Sequence, residues 1–289
     1  MQGTFLLNFS MYLELSETSA IRGGQRIFYD TYRCTKSGKL LQPNEEVCRL
    51  CSFYMESTYF AIAFLAGLAP ALFWLWFWLR EDNAHPEPYL LIAISFIAGL
   101  AVVPIALPLQ KAALGLYSGP GLIIVWVIIE ELLKYAAALI LIFWNKEVDE
   151  PIDMVIYMIC IALGFAALEN ALFIYNPLVA GDLANSALTG SFRFIGAMLL
   201  HVLASGTIGV FLALSYYKPK ITQLAAGTVG LFIAIVLHAL FNFFIMDASG
   251  ETILGVFLFV WMGVIVLFLL FEKIKKLECA HNPQSCSIL

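Results

Sequence analysis

Charge is what this sequence has least of. Only 13% of its 289 residues are Asp, Glu, Lys or Arg, about half the share in a soluble domain. Hydrophobic residues make up 61%, and the mean hydropathy is +0.86. This balance excludes an ordinary soluble enzyme. The net charge of −5 is spread over loops and tails, so there is no basic patch for nucleic acid. No cleavable leader is expected either, because MQGTFLLNFSMYLELSE has no basic start and Asn8 and Ser10 interrupt its apolar run. Internal repeats and paired Gly/Pro breaks, the marks of broken-helix transporters, are missing: Pro104, Pro108 and Pro120 flank spans rather than splitting the polar ones.

What is present is a set of seven long apolar runs, near Thr58–Leu79, Tyr89–Leu107, Gly121–Trp144, Ile152–Tyr175, Phe192–Leu214, Ile221–Met246 and Thr252–Phe271. Each is long enough to cross a ~30 Å hydrocarbon core as a helix of about 20 residues. Lipid offers no partner for a free backbone group, and a barrel strand needs only about 10 residues. The class is therefore all-α, a polytopic membrane helical bundle with about seven transmembrane helices in the lipid bilayer. The chain divides into a polar appendage (1–56), the transmembrane domain (57–272) and a basic, polar tail (273–289).

In the appendage, Cys34-x-x-Ser37 and Cys48-x-x-Cys51 have the look of a zinc ribbon with one thiolate replaced by a hydroxyl, which is a poor ligand. A degenerate ribbon and a tail with a fortuitous CxxC are equally good readings. The final CSIL formally fits a prenylation box, but seven helices already anchor the chain, and Cys286 is read as unmodified. Arg80, Lys146, Lys218, Lys220, Lys273, Lys275 and Lys276 fall on one side of the spans, against Lys111 on the other, which puts the C-terminus in the cytoplasm. The appendage is then outside, where Cys34, Cys48 and Cys51 could form a disulfide instead of binding metal.

The few charges inside the spans are the informative ones. IIEELLKYAA places Glu130, Glu131 and Lys134 in the middle of an apolar run, where ionised groups are costly and mark a functional interior by default. Counting ~1.5 Å per residue along spans that alternate in direction, Glu130, Glu169, His201 and His238 fall in one layer, roughly 10–14 Å below the non-cytoplasmic face. Each has a neighbour one turn away on its own face: Lys134, Phe165, Ser205 and Asn242. Taken singly, Glu130 with Lys134 could be an inert neutral pair, and each histidine or asparagine a hydrogen bond between helices. Four helices sharing one depth favour a common cavity.

Amide hydrolysis needs a base for water, an electropositive group for the oxyanion and an acid for the leaving nitrogen. Two histidines and a carboxylate can hold a catalytic zinc with an open position, and a further glutamate can act as base. A proton- or ion-coupled transporter also buries such residues, and a non-catalytic receptor or scaffold is the third class.

Glu130-Glu131-x-x-Lys134, Phe165-Ala-Ala-Leu-Glu169-Asn170, His201 and His238-x-x-x-Asn242 resemble, in order and spacing, the PrsW family of intramembrane proteases. That family is related to the Abi and CAAX-prenyl-protease group, whose comparable helices carry EE, F-x-x-x-H and H-x-x-x-N/D motifs. The likeness runs from Ala61 to Lys275 and takes in GLAP at Gly67–Pro70, HPEPY at His85–Tyr89, EPIDMVIY at Glu150–Tyr157, and Arg193. The appendage is not part of the family pattern.

The resemblance implies a peptidase of a bacterial or archaeal cell membrane whose partner is a membrane-spanning substrate, such as an anti-sigma-factor-like regulator. It also implies roles. Glu130 and Glu131 activate water, and Glu169, His201 and His238 hold zinc or the water itself. Asn242 orients an intermediate or stabilises the oxyanion, Lys134 compensates the paired carboxylates, and Asn170 and Arg193 give charge and substrate support. The family is classed with metallopeptidases, whereas its CAAX relatives are thought to use glutamate and histidine without metal. Glu169, standing where those relatives have His, favours a metal set, and the metal-free route stays open.

Overall fold

The computed structural model describes residues 35–36, 39–40, 45–81, 86–246 and 250–281, with side chains for 55–81, 86–245 and 253–281. Cys34, Cys286 and the side chains of Cys48 and Cys51 lie outside the described residues, and so do the ribbon, disulfide and prenylation readings. A two-residue hairpin, β1 (Thr35–Lys36) and β2 (Lys39–Leu40), pairs antiparallel ahead of the helices.

All seven apolar runs are helices, and several extend beyond the expected bounds. Helix α1 (Glu45–Arg80) begins inside the segment read as appendage. Helix α2 (Tyr89–Leu114) continues through Pro104 and Pro108, although the sequence reading ended this span at Leu107. A proline costs one helical hydrogen bond, but packed neighbours in a bundle absorb it. Helix α3 (Gly119–Leu141) starts from Gly119 at φ 57°, with Pro120 in its first turn. Pro is favoured there because its missing N–H has no helical partner to lose.

Helix α4 (Asp153–Val179) is followed by α5 (Leu183–Phe192), a π-turn (Arg193–Ala197) and α6 (Met198–Leu214) in one run. This run starts well before the expected Phe192, because the Asp182 side chain accepts from the Asn185 N–H at 2.9 Å and caps α5. Helices α7 (Lys220–Met246) and α8 (Gly250–His281) complete the bundle, α8 carrying its helix through the tail lysines.

Six stretches, 55–80, 89–114, 153–179, 183–214, 220–245 and 253–281, are long and apolar enough to cross a membrane. The remaining long helix, α3, has spanning length but carries Glu130, Glu131 and Lys134 along its middle.

Helix α4 is the axis of the bundle: α1, α2, α3, α5 and α6 all pack on it, and α7 and α8 close against α6. Small residues permit this. A Cβ added at Gly164 of α4 would lie 2.0 Å from the Phe96 carbonyl oxygen of α2, and one at Gly99 2.0 Å from the Ile161 carbonyl oxygen. The two backbones therefore touch through a pair of glycines. Large side chains such as Leu65, Trp76, Leu258 and Leu269 on α1 and α8 face outward, as lipid requires.

At one end of the bundle the Tyr157 hydroxyl donates to Glu87, and Asp153 Oδ2 accepts from the Asp149 and Glu150 N–H groups at 2.9 and 2.9 Å. This network ties the residues ahead of α2 to the start of α4. Towards the opposite end, Glu130 lies eleven residues into α3, Glu169 ten before the end of α4 and His238 eight before the end of α7, about 12–16 Å below the helix termini.

Candidate active site

Four helices meet at this layer. Glu130, Glu131 and Lys134 come from α3, Glu169 and Asn170 from α4, His201 and Ser205 from α6, and His238 and Asn242 from α7. Glu131 and Lys134 are both 0% exposed, so their charges must be balanced by neighbouring side chains. Lys134 Nζ donates to Glu131 Oε1 at 2.5 Å. Glu131 Oε1 is also 2.7 Å from His238 Nδ1, and Glu131 Oε2 accepts from Ser205 Oγ at 3.3 Å. Both oxygens of Glu131 are thus committed. A carboxylate accepts, so His238 Nδ1 carries the hydrogen and Nε2 presents its lone pair, the arrangement in which a carboxylate orients a metal-binding imidazole.

Glu130 is held differently. Its Oε1 accepts from Gln110 Nε2 of α2 at 2.8 Å, whereas its buried Oε2 has no hydrogen-bond partner among the described residues and lies 3.8 Å from His238 Nε2. A buried carboxylate oxygen with no donor is unfavourable unless something else fills that role. Ligand atoms of Glu130, His201 and His238, all buried, fall within 4.8 Å of one another. Two imidazoles and a carboxylate oxygen are a donor set suited to a divalent ion such as zinc. The orphaned oxygen beside an imidazole lone pair fits such an ion.

His201 is engaged on both sides. Its Nε2 is 3.0 Å from Glu169 Oε2 and its Nδ1 3.3 Å from Lys134 Nζ. Phe165 packs under it with ring centroids 5.2 Å apart, and Lys134 Nζ lies 4.6 Å from the centre of that same ring. An ion taking His201 would replace one of its two polar contacts.

Glu169 is not among the three groups that converge within 4.8 Å. Its Oε2 accepts from both Arg193 and His201. Arg193, the first residue of the π-turn, also donates to Asn170 Oδ1 and stacks over Phe173 at 3.9 Å. A π-turn shifts the following residues around the helix by about one position, a device common at functional sites. Asn242 is half-buried and makes no side-chain hydrogen bond among the described residues.

Every candidate active-site residue named from the membrane spans therefore lies in or beside this cluster, except that Asn242 has no polar contact in it. Gln110 was missed. It falls on the part of α2 beyond Pro108, outside the expected span, and its only signal is an amide beside Lys111 in the PLQKAAL stretch.

A model of the PrsW family of intramembrane metalloproteases matches residues 87–270. Protease PrsW of Geobacillus kaustophilus (strain HTA426) is 29% identical over 150 residues, which is 50% of this chain and 63% of that protein, less than two thirds of its length. Protease PrsW of Oceanobacillus iheyensis is 25% identical over 207 residues, 70% of this chain and 92% of the relative. Protease PrsW of Bacillus subtilis (strain 168) is 24% identical over 228 residues, 78% and 96% respectively. No solved structure matches the chain.

Proposed function

Because this integral membrane chain belongs to the PrsW family of intramembrane metalloproteases, we propose that it hydrolyses a peptide bond of a membrane-spanning protein at the centre built on Glu130, His201 and His238. The observation that carries this reading is the convergence of those three ligand groups, with an unpartnered Glu130 oxygen, inside helices of membrane-spanning length. A buried inert pair has no use for such an oxygen.

Glu130 Oε2, His238 Nε2 and His201 would hold the ion. A bound divalent ion supplies Lewis-acid polarisation of the scissile carbonyl and a more acidic water. Glu131 orients His238, and Lys134 balances Glu131. Glu169 is the most exposed carboxylate of the group at 13%, against 9% for Glu130 and 0% for Glu131, which favours it as the group that meets incoming water. It takes the proton of the attacking water and returns it to the leaving nitrogen, while Arg193 and Asn170 hold it in place. Asn242, which makes no side-chain hydrogen bond among the described residues, donates to the oxyanion. These assignments move Glu169 from the ion's shell to the role of base and Glu130 into the shell, because it is Glu130 whose carboxylate oxygen lies with His201 and His238 within 4.8 Å.

The substrate is a membrane-spanning regulator of the anti-sigma-factor type, and zinc is the ion the donor set favours. The lysines and arginines in the loops after α3 and α6, at the end of α1 and along the last turns of α8 favour a cytoplasmic C-terminus.

Reconstitution in proteoliposomes tests the reading. Cleavage of a membrane-spanning substrate should fall at least 100-fold in Glu130→Gln and in His238→Ala at unchanged expression. Ion-driven solute uptake that disappears in the same variants, without any cleavage by the parent, would transfer the site to a transporter.

A further inference from the structure

The two adjacent glutamates of α3 differ in a way that a residue outside the polar helices explains. Glu131 has both oxygens committed, to Lys134, His238 and Ser205. Glu130 has one oxygen committed and one free, and the commitment comes from Gln110 on α2. Gln110 is only 3% exposed, so its amide needs a partner within the protein. The helix that carries it is clamped to α3 a second time, because the Trp126 Nε1 donates to the Gln110 carbonyl oxygen at 3.1 Å. Trp126 is one turn before Glu130 on α3. The amide is therefore fixed both along α2 and against α3.

The terminal torsion of a glutamate is broad and has no strong preference of its own. What sets the plane of the Glu130 carboxylate is the donor that meets it. We propose that Gln110 is a positioning residue of the active site: its Nε2–H occupies Glu130 Oε1 and so reserves Oε2 for the ion shared with His201 and His238. An amide suits this task, since it donates in the membrane interior without adding a charge that would compete with the ion. This inference rests on the proposed role of Glu130, and the test separates the two.

Gln110→Met keeps the length and volume of the side chain and removes the donor. Gln110→Asn keeps an amide but draws it back by one methylene, and serves should the first variant not fold. Zinc affinity of the purified full-length protein is measured by competition with a chromophoric chelator, alongside kcat and KM in proteoliposomes. We expect either variant to weaken zinc binding by about 10–100-fold and to lower kcat with KM for the protein substrate unchanged. Glu130→Gln should abolish both zinc binding and cleavage. Wild-type zinc affinity and kcat in a folded Gln110→Met protein, with Glu130→Gln inactive, would overturn the positioning role alone. Full cleavage by Glu130→Gln would overturn the role of Glu130 and this inference with it.

Discussion

Lys134 shows how much depends on single residues here. Its ammonium is fully buried and meets the Glu131 carboxylate, His201 and the face of Phe165. Removing one partner of a buried ion pair leaves the other charge uncompensated, at a cost of roughly 3–5 kcal/mol. Lys134→Met should therefore lower thermal stability in detergent sharply. The double variant Glu131→Gln/Lys134→Met, with no charge left over, should recover much of that loss while remaining inactive. A double-mutant cycle in which the two losses simply add would show that the pair is not coupled. The charged residues of this centre were legible in the sequence because each interrupts an apolar run. Their pairing was less so: helix spacing put Lys134 one turn from Glu130, yet it bonds Glu131, because His238 and Ser205 hold Glu131 where the ammonium reaches it. Gln110 was hidden for a different reason, since a proline such as Pro108 normally stops a helix, and here α2 runs on past it to Leu114.

At the scale of elements, the site depends on how closely α2 and α4 approach, since α2 carries Gln110 and α4 carries Glu169. The Gly99–Gly164 contact sets that distance, and a Cβ at Gly164 meets backbone, which cannot swing aside as a side chain can. Gly164→Ala should destabilise the protein by about 1–3 kcal/mol through overpacking and depress cleavage as α2 is displaced. Gly255→Ala, with open space around its Cβ, should leave unfolding temperature and activity near the parent's. Equal effects of the two substitutions would remove the contact from the account. Seven helices could be read from hydropathy alone, because lipid allows few alternatives. Their ends could not, since caps such as Asp182 and prolines absorbed by packing depend on neighbours that hydropathy does not see. The same limit hid α5 and the π-turn that aims Arg193 at Glu169.

For the whole molecule, the arrangement is a buried central helix with a polar layer built off-centre around it. Helices α4 and α6 are buried along most of their length, while α1, α7 and α8 leave much of theirs to lipid. The proposed ion ligands come from α3, α6 and α7, and the proposed base and its supports from α4 and the π-turn. A substrate helix hides its carbonyls in its own hydrogen bonds, so it must be extended where it meets this layer. The layer is displaced toward the ends of α4 and α7 that face away from Arg80, Lys146 and Lys218, which are the cytoplasmic residues in the proposed orientation. The measurement that tests the account most directly is the mass-spectrometric mapping of new termini after a membrane-spanning substrate is incubated with the protein in proteoliposomes. The account predicts a cut within or beside the substrate's span, on its non-cytoplasmic side, that disappears in Glu130→Gln. A cut at the cytoplasmic end of the span, or one that persists in Glu130→Gln, would contradict it.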